Sequence, residues 1–344
     1  MRDVAEHASV SITTVSHVVN NTRPVSDGLR KRVLAAIDEL GYQPNVLARS
    51  LRRGKTHTIG MIVPDSTNPF FAEVARGIED TSFEHGYSLV LCNSDGDLQK
   101  ELLYVSVLTE KQVDGILFVA AGASTEHIRA CTARCMPVVV VDREIPEVAV
   151  DSVLTDNARG GAIATRHLLD LGHRRIGCVA GPSDVTPSAD RVTGYTQALA
   201  ERGIPVEDRF IVKGDFQYES GYRAARQLLA LGSRPTAIFA CNDLMAVGVI
   251  SAAVEMGLWV PADLSVVGFD DVRLASFANP PLTTIVQPKY EMGVIAAEML
   301  LQRIRGPDIP PRCRLLDTSL LIRRSTSSVG GEPQYGTDER GEEL

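Results

Sequence analysis

Residues 2–20, Arg2-Asp3-Val4-Ala5-Glu6-His7-Ala8-Ser9-Val10-Ser11-Ile12-Thr13-Thr14-Val15-Ser16-His17-Val18-Val19-Asn20, read as two short helices around a tight turn. Val4, Ala5 and Ala8 give the first helix a small apolar face, and Ala8-Ser9-Val10 makes the turn. Ser11 stands at the N-cap of the second helix, where its hydroxyl accepts from an otherwise free backbone N–H. Val15, Val18 and Val19 recur at i, i+3 and i+4, which buries one stripe. Ile12, Thr13, Ser16 and His17 are left facing outward. A third helix follows, with Ser26 as cap, Leu29, Val33, Ile37 and Leu40 as its stripe and Gly41 as terminator. Three short helices with a small-residue turn form a helix-turn-helix unit, whose second helix fits the DNA major groove.

Charge agrees with this head. Residues 1–56 carry nine Lys/Arg against five Asp/Glu, a balance of +4, within a chain of net charge −8. The 26 basic and 38 acidic residues that follow leave −12. A small basic head on a large acidic body points to nucleic acid at the head and another partner for the body. Between them runs Gln43-Pro44-Asn45-Val46-Leu47-Ala48-Arg49-Ser50-Leu51-Arg52-Arg53-Gly54-Lys55. Pro44 can open a helix, but about two turns are too short to hold alone in water. This segment is expected to order on a partner, with Arg49, Arg52, Arg53 and Lys55 against phosphate; a charged linker is the alternative.

The whole chain has 344 residues, enough for two or three domains with sizeable cores. No apolar stretch approaches the roughly 18 residues of a membrane helix, and the N-terminus has no signal-peptide core. Six cysteines scattered through the chain suit buried thiols in a reducing cytoplasm better than a disulfide framework.

From Thr58 onward, apolar runs alternate with helical stretches. They include Ile59 to Val63, Leu89 to Leu91, Ile116 to Val119, Val138 to Val141, Ile176 to Val179, Ala237 to Ala240 and Leu264 to Phe269. Such runs between helices argue for two open parallel sheets of an α/β fold, and ligands bind beyond the carboxyl ends of such strands. Those ends carry Asn68, Phe70 and Phe71, Asp142 and Arg143, Arg191, Phe216, Asn242, Asp270 and Gln287. Flat apolar rings suit the CH faces of a sugar, and Asp, Arg and amide groups suit its hydroxyls. A phosphate ligand would need an excess of positive charge. Each residue also has a plainer role: the aspartates as caps of helices or turns, the phenylalanines as core, the arginines as structural ion pairs.

Asp3-Val4-Ala5, Val10-Ser11, Thr14 to Asn20, and Pro44-Asn45 leading to Ala48-Arg49-Ser50-Leu51 resemble the head and hinge of the LacI/GalR family of bacterial transcription repressors. The resemblance runs from Arg2 to about Arg324. It implies base reading by Ile12, Thr13 and His17 and phosphate contacts by Thr14, Ser16 and Asn20. Arg23, Asn45, Ala48, Arg49 and Arg52 complete the implied DNA-binding set. Leu51 matches a hinge leucine that wedges into the minor groove, kinking the duplex at a cost of a few kcal/mol. Two departures stand out. The family's Thr and apolar residue before the first helix are replaced by Met1-Arg2, which predicts an uncapped first helix or a start upstream. Ser9 replaces the Gly or Asn common in the turn, adding a little strain.

The stretch Ser66 to Asp95 resembles the ribose-repressor branch and the periplasmic ribose-binding proteins that share a two-lobed fold. All ten strand-end residues fall on their ligand positions. The purine-repressor branch is next; where it has an arginine and a threonine before the loop's final arginine, this chain has Val185 and Pro187.

The expected architecture is a small all-α head (1–44), a hinge helix and linker (45–56), and a two-lobed α/β body of the periplasmic-binding-protein type (57–322). Its first lobe would hold about 57–157 and 288–313 and its second about 158–287 and 314–324, with crossings near 157, 287 and 314. A disordered tail is expected over 325–344, which is polar, Gly-rich and acidic. The resemblance implies a cytoplasmic, homodimeric repressor on a near-palindromic operator, released or retained by a small sugar, ribose or a related pentose. A purine or nucleoside is the alternative effector. A transport binding protein or a sugar-modifying enzyme is more distant, since no export signal, phosphate loop or nucleophile set stands out. No cofactor and no metal are expected. His127, Cys131 and Cys135 at i, i+4 and i+8 span too many turns for one ion and read as buried side chains.

Overall fold

The computed structural model describes residues 1–42, 55–119, 125–143, 145, 148–182, 186–306 and 308–330. The hinge candidates Asn45, Ala48, Arg49, Leu51 and Arg52, together with Val185 and residues 331–344, lie outside them. The chain divides into two compact units, Met1–Thr56 and His57–Leu344.

In the first unit, α1 (Arg2–His7), α2 (Ile12–Asn20) and α3 (Asp27–Glu39) close on Val4, Ala5, Ala8, Val15, Val18, Val33 and Ala36. The N-cap Met1 offers α1 no side-chain hydrogen bond. Ser9 takes φ +51°, the left-handed conformation that glycine or asparagine enters more cheaply. Ser11 Oγ accepts from Thr14 N at 3.0 Å and caps α2. Ser26 occupies the N-cap of α3 without a side-chain bond, so its capping role is corrected to a positional one. Leu40 is also corrected: it is the exposed C-cap residue, and Ala36 fills the core place.

The second unit has two sheets built from β1 (Thr58–Val63), β2 (Ser88–Asn93), β3 (Gly115–Phe118), β4 (Val138–Val141), β5 (Asp151–Thr155), β6 (Ile176–Ala180), β7 (Ile211–Lys213), β8 (Ala237–Ala240), β9 (Ser265–Asp270), β10 (Thr283–Val286), β11 (Cys313–Leu316) and β12 (Ser319–Leu321). The first sheet runs β11-β5-β4-β3-β1-β2 and is parallel throughout. The second runs β12-β10-β9-β8-β6-β7, with β12 alone antiparallel to its neighbour. Strands β3, β4, β6, β8 and β9 are buried along their whole length, as strands covered by helices on both faces must be. The helices of this unit are α4 (Pro69–Glu84), α5 (Leu98–Glu110), α6 (Glu126–Ala133), α7 (Asn157–Asp170), α8 (Thr186–Glu201), α9 (Tyr218–Leu229), α10 (Asp243–Glu255), α11 (Arg273–Phe277) and α12 (Lys289–Arg305).

The chain passes between the lobes at 156, 287–288 and 317–318. The third passage lies later than the expected 314 because β11 pairs with β5, Cys313 to Ser152 through Leu316 to Thr155. Residues up to 316 therefore belong to the first lobe. The packed body also extends beyond the expected 322–324. Ser325 Oγ donates to Val266 O at 2.6 Å and accepts from Thr283 N at 2.8 Å. Val329 N bonds Leu171 O at 3.0 Å, so 325–329 are part of the second lobe rather than of a tail.

A Cβ at Gly161 of α7 would lie 2.2 Å from Arg191 O of α8, so this glycine lets the two helices meet backbone to backbone. Asp151, fully buried at the start of β5, joins three chain segments. It accepts from Arg303 Nε at 3.0 Å and Arg312 N at 2.8 Å.

Candidate functional site

The two lobes enclose a cavity of about 300 Å³ at the carboxyl ends of their strands. Nine of the ten residues expected there line it: Asn68, Phe70, Phe71, Asp142, Arg143, Arg191, Phe216, Asn242 and Asp270. Asp142 follows β4 with φ +69°, Asp270 ends β9 with φ +108°, and Phe216 has φ +67°. Non-glycine residues held in this region cluster at ligand sites, where the surrounding structure over-determines them.

Arg191, on the first turns of α8, is 3% exposed. Its Nε donates to Asn157 Oδ1 at 2.8 Å and one Nη donates to Cys241 O at 2.5 Å. That same Nη lies 3.5 Å from Asp270 Oδ1, and the guanidinium sits 3.8 Å above the Phe269 ring. Burial pushes the Asp270 carboxyl up to about 6, against the pull of Arg191 and the Gln287 hydrogen bond. Burial also raises Asp142, opposed by Arg191 and Arg143. Asp142 Oδ1 has no hydrogen-bond partner among the described residues. Two carboxylates from opposite lobes thus face one cavity, Asp270 against the Arg191 guanidinium and Asp142 with acceptor capacity left for donors of a ligand.

Gln287 is the exception among the ten. It is buried behind Asp270, to whose Oδ1 its Nε2 donates at 2.7 Å, while its Oε1 accepts from Thr155 Oγ1 at 2.5 Å. It therefore links two interlobe passages and holds the carboxylate from behind the cavity lining. The asparagines serve two ends. Asn68 Oδ1 caps α4 through Phe70 N, and Asn242 Oδ1 caps α10 through Met245 N. Asn242 Nδ2 also donates to Phe216 O at 2.8 Å. Phe216 in turn depends on Gly181, where a Cβ would lie 2.3 Å from its ring.

Sequence reasoning missed Asp65, Asp95, Asp215 and Gln217, which also line the cavity. Asp215 adjoins the chosen Phe216, and Asp65 follows the first strand, so strand-end position was the available signal. Gln217 Nε2 donates to Asp65 Oδ2 at 2.9 Å, joining the lobes at the cavity wall. With five aspartates against Arg143 and Arg191, the lining disfavours a phosphate and favours a neutral molecule rich in hydroxyls.

On the head, Ile12, Thr13 and Arg23 are exposed. His17 Nδ1 is 2.8 Å from Thr22 Oγ1, which orients the ring. Thr14 Oγ1 meets Ser11 Oγ at 2.9 Å, and Asn20 Nδ2 turns back to Ser16 O at 2.8 Å. His127 and Cys131 are buried on α6, whereas Cys135 lies past its end and is exposed. Among the described residues, no group of three or more His, Cys, Asp or Glu side chains is placed to hold a metal ion.

Comparison with known proteins gives matches over both units. Residues 1–45 match the bacterial regulatory proteins of the lacI family, and residues 56–323 match the periplasmic binding proteins and sugar binding domain of LacI family. The chain is 44% identical over 329 residues to the ribose operon repressor of Escherichia coli, covering 95% of this chain and 99% of that one. It is 43% identical over 331 residues to the HTH-type transcriptional repressor PurR of Photobacterium profundum, covering 96% and 99%. Among solved structures it is similar to the lac repressor dimer bound to operator and the anti-inducer ONPF. That match has a TM-score of 0.86 at 31% identity, with 94% of this chain and 98% of that one covered.

Proposed function

Because the chain belongs to the lacI family of bacterial regulatory proteins and is a DNA-binding repressor, we propose that a small neutral sugar, ribose or a related pentose, controls its operator affinity. The observation that carries this is the cleft, lined by Asp142 and Asp270 from opposite lobes, by Arg191 against Asp270, and by three phenylalanine rings. Its volume, about 300 Å³, is at the small end of the ~300–1,000 Å³ range of small-molecule sites. A second reading, a purine or nucleoside effector, is favoured by the near-equal similarity to a PurR protein. The acidic lining and Pro187, where that branch has threonine, favour the sugar.

The head reads the major groove through Ile12, Thr13 and His17, with Thr14, Ser16, Asn20 and Arg23 on or near phosphates. The hinge segment with Asn45, Ala48, Arg49, Leu51 and Arg52 orders on the operator. The protein works in the cytoplasm as a homodimer on a near-palindromic site, and it catalyses no reaction. Among the described residues no helix is long and apolar enough to cross a membrane.

Binding of sugar and operator is linked, so each changes the affinity of the other by the same factor. The test is fluorescence anisotropy on a duplex that the protein selects from random sequence. D-ribose is expected to change operator affinity by about 5- to 150-fold, and hypoxanthine to leave it unchanged. The opposite result transfers the function to the purine reading.

The raised carboxyls predict a pH dependence with a definite sign. Sugar hydroxyls donate to the ionised form of Asp270, so ribose affinity is expected to fall below pH 6, by up to about tenfold per unit. Between its ordinary value and about 6, Asp270 is protonated in the folded, sugar-free protein and ionised in the unfolded chain. This group therefore stabilises the free fold as pH falls through that window, the reverse of an ion-paired carboxylate. Calorimetric titration with ribose from pH 5 to 8 reads the first effect. A profile flat to within twofold would remove Asp270 from the ligand contacts.

A further inference from the structure

Lys289 opens α12 of the first lobe and is 5% exposed. A buried ammonium needs acceptors for its protons. Its Nζ finds them in the other lobe: Asp270 O at 2.6 Å and Asp271 O at 2.9 Å. Glu73 Oε2 of α4 lies 3.6 Å away. The two carbonyls belong to consecutive residues with φ +108° and +52°. Aspartate tolerates the left-handed value of Asp271, whereas φ +108° at Asp270 is held only where the surroundings compel it. The same turn is also fastened from within its own lobe. Asp243 Oδ2 accepts from Val272 N at 2.8 Å, and Arg323 Nη2 donates to Asp271 Oδ1 at 2.6 Å.

We propose that Lys289 is the positioning residue that converts effector contact at Asp270 into a preferred angle between the lobes. Asp243 and Arg323 travel with the turn, so they fix its shape and carry no record of the other lobe. Lys289 is planted on the first lobe directly after the 287–288 passage. Its reach to the Asp270 and Asp271 carbonyls depends on the lobe angle. A ligand that orders the Asp270 turn therefore favours the angle at which the ammonium meets both carbonyls. Gln287 reinforces the same coupling from the passage itself, through Thr155 and the Asp270 carboxylate.

This inference rests on the sugar-responsive repressor reading, and the experiment separates the two. Full-length wild type, Lys289→Met and Arg323→Gln are titrated onto operator duplex with and without saturating D-ribose. For wild type the affinity ratio is expected to be about 5 to 150. In Lys289→Met it collapses to within about threefold of unity, while sugar-free operator binding stays within about tenfold of wild type. Arg323→Gln needs more ribose but keeps the wild-type ratio at saturation. A merely structural lysine would lower thermal stability and ribose affinity and leave that ratio intact, which overturns the proposal. Should Lys289→Met fail to fold, Lys289→Gln is held to the same expectation. A wild type indifferent to ribose overturns the sugar reading instead. The same titrations are then run with hypoxanthine as effector: a Lys289→Met ratio within about threefold of unity beside a larger wild-type ratio sustains the proposal, and a ratio as large as that of the wild type ends it.

Discussion

Arg191→Met is expected to weaken ribose binding by about two to three orders of magnitude while leaving sugar-free operator binding within a few fold of wild type. The guanidinium is 3% exposed and is held by Asn157 Oδ1, Cys241 O and the Phe269 ring. It draws both Asp142 and Asp270 toward ionisation against burial, more strongly than Arg143 does the first or Lys289 the second. Truncating one partner of a buried, hydrogen-bonded charged contact costs binding about 2–5 kcal/mol, because the group that faced it is left unpaired. At about 1.4 kcal/mol per tenfold, that is the stated loss. Isothermal titration with ribose measures it. Because the carboxyls then protonate more readily, the residual affinity should also rise more steeply with pH than in wild type. A loss below tenfold would place the sugar away from Arg191.

Asp151→Ala is expected to have the largest effect on stability, about 3 kcal/mol, with ribose affinity unchanged to within twofold once folded. The carboxylate is fully buried and satisfies Arg303 and the Arg312 backbone N–H. Without it, Arg303 loses its counter-charge at a side-chain exposure of 15%. Arg312, more exposed, recovers part of its cost from water, which sets the estimate at the lower end of the range for broken buried pairs. For a unit of this size the thermal midpoint should fall by roughly 5 °C. Thermal unfolding followed by circular dichroism reads it, and a fall under about 3 °C would mean that the arginines find other acceptors.

The legible parts of the fold were those whose physics is local. Ser11 announces the start of α2 through its own hydroxyl, and the Val138–Val141 run can only be a strand covered on both faces. Strand ends then located most of the cavity. The third passage escaped because Cys313-Arg314-Leu315-Leu316 is a largely exposed edge strand with no buried apolar run to mark it. Asp151 likewise disguised the start of β5, since a carboxylate in a core is readable only with its arginines in view. Asn68 and Asn242 show a different limit. A helix cap and a ligand amide use the same residue type at the same strand end, and only geometry reveals which atom is already engaged. Lys289 was missed because its partners are 18 and 19 residues away in the other lobe, and the Gln287 bond to Thr155 joins residues 132 positions apart.

The three passages between the lobes run side by side and are stitched together, Thr155 to Gln287 and Arg159 to Asp317. A single tether would let one half swivel freely about the other. Three adjacent ones block swivelling and leave a bending motion like that of a door. Any molecule admitted to the cleft must act along that one mechanical coordinate. Activating and antagonising ligands would then differ only in how far, and toward which end, they push the same door.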